Sequence, residues 1–127
     1  VFQLRMEAGG GHRFLFVSEK AGDLHGRSAQ ELLGLQAPLH TAYGLPDGAQ
    51  GPLQGAFDRS LRTLEPLDVD VEVPRGAGTQ WIKTLATARA LPGGAVLFNG
   101  VWLDVTEQRN QARALAQVAE EKATFLA

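Results

Sequence analysis

His12, His25 and His40 are the side chains of this sequence that both titrate near neutrality and ligate metals, so chemistry is sought there first. No cysteine stands beside them, and no His-Glu-x-x-His pair sets two imidazoles on one helical face. They read as three separate imidazoles, exposed or locally hydrogen-bonded. Asp68, Asp70 and Glu72 share one face of an alternating stretch, which reads as a solvated acidic stripe rather than a cation site. Gly9-Gly10-Gly11 lacks the lysine and hydroxyl residue of a phosphate loop. No Ser-His-Asp spacing and no paired-carboxylate motif stands out. The domain alone is therefore not expected to be an enzyme, and no catalytic or metal-binding residue is assigned.

The composition narrows the class further. A chain of 127 residues suits one domain with an appendage, and 44% hydrophobic content suits a folded one. A net charge of -2 with no basic run gives no reason to expect nucleic acid as a partner. The absence of cysteine removes disulfides, thiolate metal sites and any cysteinyl adduct to a cofactor. The longest charge-free apolar stretch, 90–103, is short and broken by Pro92, Gly93, Gly94, Asn99 and Gly100, so no membrane span or direct membrane contact is expected. No signal peptide is evident, and the abrupt start and end suggest a piece of something longer, expected in the cytoplasm.

The elements that must position any site follow from periodicity. Residues 1–6 and 13–18 read as strands joined through the three glycines. Ser28 and Glu31 form a capping box for a short helix over Ala29–Leu33, stopped by Gly34. A second short helix is expected over 38–43, and a turn over 45–48. Leu53, Phe57, Leu61 and Leu64 make one apolar helical stripe, ended by Pro66. Leu67, Val69, Val71 and Val73 alternate with acidic residues, which predicts a strand with one buried face. Two long strands, 80–91 and 95–105, are joined by Pro92-Gly93-Gly94. Both are apolar on both faces, so one sheet face needs a cover beyond the short helices. The expected fold is α+β: a five-stranded, mainly antiparallel sheet with short helices on one face and a C-terminal helix. A pocket between sheet and helices would be walled by Phe14 or Leu15, Leu33, Leu35, Tyr43, Phe57, Leu61, Leu85, Leu97 and Val101. Trp102 is expected on the outer sheet face or its cover.

These residues resemble a PAS domain. The resemblance rests on Phe14-Leu15-Phe16-Val17-Ser18, then Leu24, Gly26, Ser28 and Glu31-Leu32-Leu33-Gly34. It continues in Leu45-Pro46-Asp47, Trp81, Pro92, Gly94, Gly100 and the closing Asp104-Val105-Thr106-Glu107-Gln108-Arg109. The turn over 74–78 departs from the Asp-Gly usual there. The tail Glu120-Glu121-Lys122-Ala123-Thr124-Phe125-Leu126-Ala127 resembles the approach to the dimerising helices of a sensor histidine kinase.

The resemblance implies a sensory domain over 1–106 and a linker or signalling helix over 107–127. It implies relay of ligand or dimer state to an output domain in the same chain, a histidine kinase. Family members that hold haem take a histidine from the longer helix, and 53–64 contains none. The missing cysteine excludes the covalent flavin adduct and the cysteine-linked chromophore, while noncovalent flavin stays open. Asp104, Thr106 and Glu107 are expected to fix the exit of the signalling helix, by capping its free N–H groups or placing charge in its first turn. Val105, Ala112, Ala119 and Leu126 recur every seven residues, with Val118 and Phe125 as a second seam, so a parallel homodimer through the sheet face and this helix is expected. Two other readings stand: a ligandless interaction or dimerisation module, and a small α+β enzyme needing a convergent polar set in a cleft.

Overall fold

The computed structural model describes residues 1–126, with side chains through Lys122. Phe125 and Leu126 of the two heptad seams, and most of the kinase-like segment 120–127, therefore lie outside the described side chains. Strands β1 (Phe2–Met6) and β2 (His12–Val17) form the first hairpin, with Gly10 at φ +97° in its turn. Helices α1 (Glu19–His25) and α2 (Ala29–Leu33), the 3-10 helix Leu39–Tyr43 and α3 (Gly51–Thr63) follow. Strands β3 (Leu67–Arg75), β4 (Gly78–Ala90) and β5 (Val96–Asp104) close the sheet, and α4 (Thr106–Leu126) leaves it. The sheet is antiparallel throughout, in the order β2-β1-β5-β4-β3.

The local chemistry explains these elements. Ser28 Oγ accepts from the Glu31 N–H at 3.1 Å, the capping interaction that starts α2. Leu53 and Phe57 bury one stripe of α3 against β3. That helix stops before Pro66 is reached, because Leu64 turns into the left-handed region at φ 59° and donates to Ser60 O. Helix α1 was not expected as a helix. It holds Gly22, where a Cβ would come 2.5 Å from the Arg27 carbonyl oxygen, so α1 and the chain leading to α2 lie too close for a side chain.

All four helical elements before β3 lie on one face of the sheet. Pairing of Thr84 with Trp102 and of Ala86 with Gly100 fixes that face, since alternate residues point opposite ways. Phe2, Leu4, Phe14, Val71, Val73, Ile82, Phe98 and Trp102 are buried there. Each large apolar side chain so buried contributes about 2 kcal/mol. Trp102 thus corrects the expectation that it faces outward. Its ring stacks on Phe2 at 4.3 Å between centroids, inside the core. The opposite face carries Leu85, Leu97, Val101 and Leu103 on β4 and β5, with Phe16 on β2. Leu103 and Phe16 are 45% and 52% exposed while Leu97 is buried, so this face is only partly covered among the described residues.

Gly100 sits in the middle strand between Phe2 and Ala86. A Cβ there would run into the Leu85 carbonyl and lie 2.7 Å from the Ala86 Cβ. Gly100→Ala is expected to lower unfolding stability by about 2–3 kcal/mol through overpacking, read from urea melts.

Candidate functional site

The helical side of the sheet is filled at its centre. Tyr43 ends the 3-10 helix and drives its ring into the core, where its hydroxyl lies 2.6 Å from Thr84 Oγ1 and accepts from Trp102 Nε1 at 3.0 Å. Burial pushes the Tyr43 phenol up to about 12, so it stays neutral. His25, at the end of α1, stands edge-on to Trp102 at 4.2 Å and to Tyr43 at 4.9 Å. It is buried, and neither ring nitrogen meets a hydrogen-bonding group among the described residues. Burial, with Arg75 and Arg27 nearby, pulls its pKa down to about 4.

The open space lies to one side. A cavity of about 430 Å³ opens between the β1–β2 hairpin, the 3-10 helix and α3. Met6, Leu39, Leu53, Phe57 and Leu61 supply apolar walls, and Glu7, His12, His40, Gln50, Gln54 and Asp58 supply polar ones. His40 Nε2 is 2.8 Å from Asp47 Oδ1. Burial lowers the His12 pKa against an opposing hydrogen bond to the Ala37 backbone. An apolar enclosure with a few polar groups is the usual form of a small-molecule site.

The structure sorts the expected wall residues. Phe57 and Leu61 line this cavity. Phe14 and Tyr43 belong to the filled aromatic centre instead. Leu33 is on the exposed side of α2, beside Leu35 and Pro38 in a shallow depression, because Leu32 takes the buried position. Leu85, Leu97 and Val101 are a correction. They lie on the opposite sheet face, the faces being set by the pairing of Ala86 with Gly100. The histidines are a correction too: His25 is buried without a partner, not exposed or hydrogen-bonded.

At the other end, Asp104, Thr106 and Glu107 meet at the root of α4. Asp104 Oδ1 accepts from the Thr106 N–H at 2.9 Å and from its hydroxyl at 2.6 Å. The hydrogen bonds from Thr106 hold the Asp104 carboxyl below the usual carboxylate range. Thr106 Oγ1 also accepts from the Trp81 N–H at 2.9 Å, and the Val105 N–H donates to Trp81 O at 2.9 Å. Glu107 stays in the first turn, where Gln111 donates to it at 3.4 Å. Arg109 lies 3.8 Å over the Trp81 ring and pairs with Asp70 at 3.0 Å. Lys83 reaches both Asp70 and Asp68, at 3.0 and 3.2 Å. Burial pushes the Asp70 carboxyl up, but the bonds from Lys83 and Arg109 outweigh it and hold it below its ordinary value. The acidic stripe is thus partly an anchor for α4 rather than a purely solvated edge. Arg109, Lys83 and Trp81 were not assigned this role from sequence; Arg109 spaced one turn from Val105 was the available signal.

Among the described residues no group of three or more His, Asp or Glu side chains could hold a metal ion. No described helix is long and apolar enough to cross a membrane.

No protein-family model matches the chain, and no curated protein matches it in sequence. Solved structures do match. An RNA-binding light-oxygen-voltage receptor aligns over 94% of this chain at 19% identity and TM-score 0.58, and this chain spans 35% of that one. A light-oxygen-voltage domain studied with a flavin analogue aligns over 94% of this chain and 87% of its own, at 18% identity and TM-score 0.57. A variant PAS-B domain of Drosophila melanogaster Cycle with bound glycerol aligns over 81% of this chain and all of its own, at 15% identity and TM-score 0.52. The chain has a PAS-like fold. The five-stranded antiparallel sheet, short helices and long C-terminal helix are the architecture of that fold.

His25 gives this fold a defined acid response. Its folded pKa near 4 lies below the unfolded value near 6.5, so the unfolded chain binds the extra proton between them. Stability is complete above pH 6.5 and falls as the pH drops through that window. From pH 7 to pH 5 the loss from this group is about 2 kcal/mol. Urea melts at the two pH values should show it, and His25→Phe should remove most of the difference.

Proposed function

We propose that this chain is the sensory or regulatory PAS module of a multidomain signalling protein. Residues 1–106 sense, and residues 107–127 carry the result to an output domain in the same chain, a histidine kinase. The protein works in the cytoplasm as a homodimer, paired through the exposed part of the outer sheet face and α4. The module itself performs no catalysis. The observation that carries this reading is the contrast along α4. Its first turn is tied to β3 and β4 through Asp104, Thr106 and Arg109, while residues 107–122 are all exposed. Leu115 and Val118 are 71% and 49% exposed, apolar positions that suit a helical partner. A helix fixed at its root and bare beyond it suits transmission better than core formation.

The signal would enter at the cavity beside α3, as a small molecule resting on Met6, Phe57 and Leu61. One observation favours the ligandless reading, an interaction or dimerisation module: Tyr43, Phe2 and Trp102 already fill the centre of the sheet's inner face. Native mass spectrometry of the chain purified without added ligand separates the two. A mass excess lost on denaturation supports the sensor, and a bare dimer mass supports the interaction module.

Asp104→Ala removes the acceptor for both Thr106 groups. It is expected to change kinase output in a protein carrying the output domain, with the melting temperature of the module shifted by only a few degrees. Unchanged signal response in that variant would sink the relay through α4.

A further inference from the structure

The cavity and the root of α4 lie at different places in the fold, yet one run of hydrogen bonds joins their walls. Leu39 and His40 line the cavity and belong to the 3-10 helix that ends at Tyr43. The Tyr43 carbonyl accepts from Arg75 Nη2 at 3.3 Å. Arg75 Nε donates to Gln80 Oε1 at 2.8 Å. Gln80 Nε2 donates to Asp104 Oδ2 at 3.1 Å and to the Leu24 carbonyl of α1 at 3.4 Å. The other oxygen of Asp104 holds Thr106.

The residue types make this run directional. Arginine only donates and an ionised aspartate only accepts, so neither can bond to its own kind. A primary amide has one acceptor end and one donor end, and Gln80 presents each to the partner that needs it. Those partners also fix which end of the amide is which. Gly44 makes room for the guanidinium: a Cβ there would lie 2.9 Å from Arg75 Nη1. The turn over 74–78 that departs from the usual Asp-Gly is thus where Arg75 leaves β3 to reach the 3-10 helix.

We propose that Arg75 and Gln80 are positioning residues that couple the 3-10 helix beside the cavity to the direction in which α4 leaves the sheet. The coupling rests on the reading of α4 as the output element. Displacement of the 3-10 helix pulls on Arg75 through Tyr43 O, and Gln80 passes the displacement to Asp104. Packing alone would not need an amide at position 80. The relay does.

The test uses the cysteine-free chain with spin labels at Arg89→Cys on β4 and Gln117→Cys on α4, both exposed positions. His40→Ala perturbs the cavity wall by removing its bond to Asp47. The label-to-label distance distribution is expected to shift or broaden on His40→Ala in the Gln80 chain, and to stay put in the Gln80→Leu chain. Gln80→Glu keeps an acceptor for Arg75 but sets a carboxylate against Asp104. It is expected to broaden the distribution relative to the parent chain, although a residue that only packs would tolerate it. Thermal melts confirm that each variant is folded. Equal responses in both backgrounds, no response in either, or a Gln80→Glu distribution matching the parent would overturn the relay. Distances are read without an output domain, so such a failure leaves the Asp104→Ala output test standing. An output indifferent to Asp104 with these distances behaving as expected would instead remove the signalling role and keep the coupling.

Discussion

A phenol hydroxyl buried in a protein core must find partners or cost about 1–3 kcal/mol. Tyr43 finds two, Thr84 and Trp102, one on each of the central strands β4 and β5. That requirement pins the 3-10 helix to the sheet and sets much of what surrounds it. Trp102 must face inward to donate, so the whole alternation of β5 is set, and Leu97 and Val101 face out. Small residues must oppose the rings, which is why Thr84, Ala86 and Gly100 take inner positions that sequence pattern alone would give to larger side chains. The centre being occupied, the cavity lies at the hairpin end, against α3.

The same pin places the Tyr43 carbonyl where Arg75 reaches it, and gives His25 its neutral, enclosed setting between two aromatic edges. The helical layer and the exit of α4 are therefore connected by polar groups as well as by packing. On the far face of the sheet, the Asp70, Lys83 and Arg109 pairs hold the first turn of α4 from the solvent side. Exposed pairs of this kind are each worth little, about 0–1 kcal/mol, so the backbone and side-chain bonds to Trp81 and Asp104 carry the orientation.

Much of this fold was legible in the sequence. The alternation from Leu67 to Val73, the Ser28–Glu31 capping box and the stripe of α3 each appear where the residues put them, because each is a local signal. Helix α1 was not legible, having Leu24 as its one large apolar residue and a glycine in its middle that only the approach of Arg27 explains. Nor was the inward face of β4 and β5. Both faces are apolar, and the deciding constraint, a tyrosine hydroxyl 41 residues from Thr84 and 59 from Trp102, leaves no local trace. At the site, Asp104, Thr106 and Glu107 could be read from the strand-to-helix transition. Arg75 and Gln80 could not, since each bonds to elements far along the chain and neither carries a distinctive local spacing.

Helix α4 runs 21 residues from its anchored turn. At about 1.5 Å per residue it is a rod of about 30 Å, so a tilt of about 10° at the root carries its far end through about 5 Å. That travel is sideways, and equals about half the diameter of a helix. A lever of this length turns an adjustment no larger than a hydrogen bond's slack into a wide sideways sweep of its far end, and the gain is set by helix length rather than by how tightly anything binds.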